Sequence, residues 1–177
     1  MPALTLDYRH CDRKRPRFIK HSEVEAIALM ARQQLVASTI DALSLALLRD
    51  VTRLKINGVA FDLVVDTQNT VHDEGGHPVL GICEYDPGVP DTAMVSVSPV
   101  GEGAGDELVL STLAHEIGHA VFDSPGWIVD ASRGPGLFDA IDDGARKVYR
   151  TTTRDGDHLA KSTSAADGVA PAARTEE

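Results

Sequence analysis

Apolar positions recur along this chain at helical spacing, then at alternating spacing, then at helical spacing again. Val24, Ile27, Ala28, Ala31 and Leu35 make one stripe. Ser22-Glu23-Val24-Glu25 has the form of a capping box, so a first helix is predicted over 23–37. Leu43, Leu47, Val51 and Leu54 repeat in the same way and predict a second helix over 41–55, closed by Gly58. The period then changes. Val59–Asp66 and Val79–Tyr85 are short and β-branched, with a polar loop, Thr67–Pro78, between them. Thr92–Ser98 alternates, with Ala93, Val95 and Val97 on one face. Three strands of a mainly antiparallel sheet are predicted. Thr92–Ser98 is placed at its edge because Pro90 and Pro99 bracket it.

Helical spacing returns at Leu110, Leu113, Ala114, Ile117 and Val121. The predicted helix runs from 106 to 123. Asp106 and Glu107 sit where its dipole favours negative charge, and Ser124-Pro125-Gly126 is expected to stop it. Gly101–Gly105 before it lacks the spacing of a phosphate loop and is expected to be a connector. Phe138, Ile141, Ala145 and Val148 suggest a short helix over 136–149. The fold class predicted is α+β: two N-terminal helices, a small three-stranded sheet, then the helix at 106–123. The domain is expected to cover 22–150, after an irregular basic leader at 1–21. A tail at 151–177, with only Leu159 and Val169 as large aliphatics, is expected to be disordered.

The helix at 106–123 carries His115-Glu116-Ile117-Gly118-His119. Residues four apart share one helix face, so the two imidazoles can take adjacent corners of one tetrahedral zinc ion. Glu116 follows the first ligand directly and is the candidate general base for a water held there. Gly118 costs roughly 1 kcal/mol against Ala in a helix, which predicts a packing reason such as a strand or a substrate passing close by. His72, Asp73, Glu74 and His77 are a weaker metal candidate, lacking thiolates and helical spacing, and a surface loop is the expected outcome.

Composition alters this picture little. The chain has 177 residues, 42% hydrophobic and 25% charged, enough for one domain with a core. Cys11 and Cys83 are far apart and form no CxxC, which fits reduced thiols in a cytoplasmic protein. No signal peptide or membrane span is evident. The net charge of −10 disfavours nucleic-acid binding, although Arg9, Arg13, Lys14, Arg15, Arg17 and Lys20 oppose only Asp12 in one basic arm. Direct DNA binding through that arm is the weakest of the functional expectations.

Helix, helix, three strands and a His-Glu-x-x-His helix is the plan of a minimal zincin. Residues 22–125 resemble the ImmA/IrrE family of zinc-dependent endopeptidases. The likeness rests on the long first helix with its acidic start, on the strand Asp91–Ser98, and on Leu110-Ser111-Thr112-Leu113-Ala114-His115-Glu116-Ile117-Gly118-His119. The resemblance implies Zn²⁺ on His115 and His119, Glu116 as catalytic base, and a third, acidic ligand from a later helix. Its substrate would be a regulatory protein such as a helix-turn-helix repressor. The chain departs from the family where that acid should stand: no Glu-x-x-Ala-Asn-x-Phe segment is present. Metzincin features are missing too, since Pro125 follows six residues after His119. Three explanations stay open. The chain is truncated, with Glu176 or Glu177 beginning the ligand helix; or Asp139, Asp142 or Asp143 supplies the ligand; or the ligand is lost. The last case gives the alternative function, a metal-binding regulatory module that binds a partner protein without cutting it.

Overall fold

Alternating stretches build a mixed sheet, and the longest apolar helix lies across its middle strands. The structure is a computed structural model that describes residues 3–9, 19–36, 42–99 and 106–132, and the backbone of 147–151. The elements in order are β1 (Leu4–Leu6), α1 (His21–Leu35), α2 (Leu45–Arg49), β2 (Arg53–Ile56) and β3 (Val59–Asp66). After them come β4 (Val71–His72), β5 (Pro78–Val79), β6 (Gly81–Tyr85), β7 (Thr92–Val97), α3 (Asp106–Phe122), α4 (Ser124–Ser132) and β8 (Lys147–Thr151). The fold is α+β, as expected. Its sheet is larger than expected: six strands in the order β1-β2-β3-β7-β6-β8, with β4-β5 as a separate ribbon.

Several sequence expectations are corrected. The expected leader contributes β1, which pairs in parallel with β2. The domain therefore takes in residues before 22. The first helix begins at His21, before the expected box, and its first turn is closed by Glu23, whose carboxylate accepts from the Lys20 amide at 3.0 Å. The second helix is only one short turn, capped by Ser44, whose Oγ accepts from the Leu47 amide. Arg53-Leu54-Lys55-Ile56 is a strand, not the end of that helix, and alternates exposed and buried. Asn57 (φ 50°) and Gly58 (φ 84°) make the tight turn that joins it antiparallel to β3. Two consecutive positive φ values suit an Asn-Gly hairpin turn, so Gly58 serves a hairpin and not a helix end.

The strand Thr92–Val97 is found, but not at the edge. It is central, parallel to β3 and antiparallel to β6. Pro90 and Pro99 lie outside its ladder, so they leave its pairing intact. The second predicted strand is divided: Pro78–Val79 joins the β4-β5 ribbon, and the sheet strand starts at Gly81. Buried Ser98 fixes that division. Its amide donates to Leu80 O, its hydroxyl donates to Val79 O, and its Oγ accepts from the Val71 amide. Ser124-Pro125-Gly126 does not end helical structure. After a turn at Asp123 it opens α4, whose Gly126 and Trp127 amides donate to the Asp123 carbonyl, and Pro125 sits in the first turn, where a missing N–H is tolerated. Lys147–Thr151 is a strand, so the expected helix over 136–149 does not reach its predicted end. The rest of that helix, the connector at 101–105, Cys11, and the tail beyond Thr151 lie outside the described residues.

The core gathers where α3 crosses β7 and β6. Leu54, Ile56, Cys83, Ala93, Val95, Leu113 and Ala120 have no exposed surface. Leu4, Leu6, Phe61, Leu63, Tyr85 and Val97 add to the sheet's contribution. This core holds α3 in a fixed rotation about its axis, and that rotation decides where the metal motif points.

Candidate metal centre

On α3, the buried positions Val109, Thr112, Leu113, Glu116, Ile117, Ala120 and Val121 define the inner face. His115 and His119 fall on the rim of that face, one turn apart, with ring centroids 4.9 Å apart. His115 is exposed on its outer side. Partial desolvation, and then the neighbouring His119, hold its imidazole below the ordinary histidine pKa, in the neutral form a metal ligand needs. The His119 side chain is only 15% exposed. Its Nδ1 lies 3.1 Å from Asp123 Oδ2, one further turn along. A carboxylate accepts from Nδ1–H, which leaves Nε2 as the atom with a lone pair to offer.

Glu116 points inward. It is 0% exposed, and glutamate is among the residue types least often fully buried. It faces the start of β6: a Cβ on Gly81 would lie 2.9 Å from Glu116 Cγ and 3.0 Å from Oε1, and 2.8 Å from Thr112 Cγ2. Only glycine lets the strand come this close. Nearby, burial pushes the Cys83 thiol well above its ordinary pKa, and the charges of Glu116 and Asp123 push it further. Cys83 is therefore a buried thiol whose surroundings favour the protonated form.

All three residues picked from the sequence lie on α3, with the two histidines adjacent and Glu116 turned towards β6. Of the two reasons expected for Gly118, a neighbouring strand is not found among the described residues. A Cβ there would meet nothing within 4 Å, so no chain segment of the described residues needs that glycine. It lies instead on the wall of a cavity of about 440 Å³, with His115 and His119, bounded by Ile27 and Ala31 of α1 and by Val121 and Phe122 of α3. The loop candidate forms no centre. Asp73 accepts from the Gly75 and His77 amides, both at 2.9 Å, and organises a turn, while His77 is 79% exposed. Asp139, Asp142, Asp143, Glu176 and Glu177, the candidates for a third ligand, lie outside the described residues. Among the described residues, no group of three or more His, Cys, Asp and Glu side chains is placed to hold a metal.

Asp123 and Gly81 are site residues that the sequence reading passed over. Asp123 had a signal, an acid four residues beyond His119 on the same helical face. Gly81 had none, because its role depends on how β6 lies against α3. Among the described residues, no helix is long and apolar enough to cross a membrane. No protein-family model matches the chain, and neither the curated proteins nor the solved structures contain a match.

Proposed function

We propose that this protein is a zinc-dependent endopeptidase of zincin type, with His115 and His119 as two of its metal ligands and Glu116 as its general base. The observation that carries this is the placement of Glu116. A carboxylate taken wholly out of water costs several kcal/mol unless its surroundings compensate, which stability alone does not call for. Here it follows His115 directly on α3, and the more buried histidine, His119, has the Asp123 carboxylate at its Nδ1, which suits a metal-competent tautomer. The two histidines would hold a zinc ion at two of its positions, and a third ligand would have to come from beyond the described residues. When bound, zinc supplies Lewis acidity, which polarises a scissile carbonyl and acidifies a water. Glu116 takes the proton of the attacking water and delivers it to the leaving amine nitrogen. The apolar cavity beside the histidines suits a large apolar side chain next to the scissile bond. By resemblance to ImmA/IrrE endopeptidases, the enzyme acts in the cytoplasm on a regulatory protein such as a helix-turn-helix repressor.

Glu116→Gln tests this. The isosteric amide cannot take a proton, so cleavage of a labelled protein substrate should fall by about 10²–10⁴-fold. Zinc content, measured by atomic absorption, should be unchanged. A Gln variant that cleaves at the wild-type rate would refute the assignment of the base. Stoichiometric zinc and partner binding with no cleavage by the wild type would select the regulatory-module alternative.

A further inference from the structure

β6 passes directly beneath the proposed general base, since a Cβ at Gly81 would meet Thr112 and Glu116 at 2.8–3.0 Å, and the edge of β6 turned away from β7 is the strand edge next to that point. That edge is taken by the chain itself. β8 pairs antiparallel along the whole of β6, from Gly81↔Thr151 through Cys83↔Tyr149 to Tyr85↔Lys147, and also neighbours α3. This register puts the Thr151 backbone opposite Gly81, at the level of the Glu116 carboxylate. An extended peptide added to a free sheet edge would take the same place and the same backbone hydrogen bonds.

β8 is suited to leaving. It has five residues and, among the described residues, is paired on one side only and stands last in the sheet. It is not joined to β6 by a hairpin turn: β7, α3 and α4 intervene in sequence. Its backbone ladder is the kind of attachment another extended chain can replace bond for bond. We propose that β8 is a displaceable strand that holds the substrate's place in cis, so that an extended polypeptide pairs with β6 only after residues 147–151 have left. This inference rests on the endopeptidase reading for its functional consequence, and on the sheet alone for the exchange itself. A tethered strand acts at high effective concentration, so the full chain is held in a latent state that short peptides open poorly.

The test uses the full chain. In hydrogen exchange, the amides of 147–151 should exchange at least about a hundredfold faster than those of β7, since opening β8 leaves the rest of the sheet intact. Equal protection of the two strands would overturn the proposal. In Val148→Pro/Tyr149→Pro, two consecutive prolines remove at least one amide that faces β6. A fluorescein-labelled peptide of residues 146–152, followed by anisotropy, should bind this variant at least about tenfold more tightly than it binds the wild type. Equal affinity, or a variant that does not fold, would make β8 an integral strand and overturn the proposal. Zinc-loaded wild type and variant are then compared on labelled casein. Tighter peptide binding with a rise in cleavage supports both readings. Tighter binding with no cleavage by either protein keeps the displaceable strand and removes the peptidase. Equal cleavage with equal peptide binding keeps the peptidase and removes the gate.

Discussion

At the scale of single residues, two positions bear on the proposed metal site. Asp123 does so through His119. With the carboxylate on Nδ1, the ring is held in one orientation and tautomer. Asp123→Ala removes that partner and leaves the ring to rotate, so zinc affinity should drop by about 10–100-fold while Glu116 stays in place. Competition with a chromophoric chelator measures this directly, and an unchanged affinity would show that His119 needs no such support. Gly81 acts through Glu116. A methyl group there would stand 2.8–3.0 Å from Thr112 and Glu116 atoms, closer than side chains tolerate. In Gly81→Ala either β6 or the α3 side chains must shift, at a cost of about 1–3 kcal/mol. Urea unfolding should record that loss, together with a fall in cleavage that zinc binding does not share. A variant as stable and as active as the wild type would mean that Glu116 has room to move.

At the scale of elements, what was legible followed from periodicity, and what was not depended on contacts distant in sequence. α3 and β3 were found with nearly their observed bounds, because each carries one uninterrupted period. β7 was found but placed at the wrong position in the sheet. Its flanking prolines fall outside the ladder, so nothing local distinguishes a central strand from an edge one. β1 is three residues long, too short for any pattern, and exists because β2 offers it a parallel partner. The second helix was overextended for a different reason. Leu47, Val51 and Leu54 satisfy helical spacing, while Leu54 and Ile56 also satisfy alternation, and Asn57-Gly58 was the signal that decided between them. That turn yields its own test. Gly58 sits at φ 84°, where a side chain costs roughly 1–2 kcal/mol. Gly58→Ala should lower the unfolding free energy by about that amount, and a neutral result would argue against the hairpin. The histidine pair and Glu116 were legible because a helix converts sequence spacing into geometry. The sheet around them was not, since strand order is set by pairing that spacing does not encode.

At the scale of the whole molecule, the segment before α1 is tied to the far end of α3 by one side chain. Tyr8 follows β1, meets Phe122 edge-on with ring centroids 5.4 Å apart, and donates its hydroxyl to the Val121 carbonyl at 2.8 Å. The chain ends of the domain's first and longest elements thus meet beside Asp123. Burial, and then the negative charge of Asp123, raise the phenol pKa above its ordinary value of 10.0. The sign of the linkage follows. The unfolded chain releases the Tyr8 proton from about pH 10 upward, whereas the native state keeps it. Stability from this group is therefore complete below that pH and is lost as pH rises towards the higher native value. The buried Cys83 thiol, also raised, adds a loss of the same sign. Tyr8→Phe keeps the ring contact and removes both the hydrogen bond and the ionisation. Near pH 8 it should be less stable than the wild type by about 0.5–1.5 kcal/mol, the net worth of one such bond. Above pH 10 the wild type alone carries the Tyr8 penalty, so the difference should shrink and then reverse. Urea midpoints of the two proteins, followed from pH 8 to pH 11, measure both parts. A difference that stays constant across that range would mean that the Tyr8 phenol ionises as readily in the folded protein as in the unfolded chain, and that the tie between the N-terminal segment and α3 is not buried.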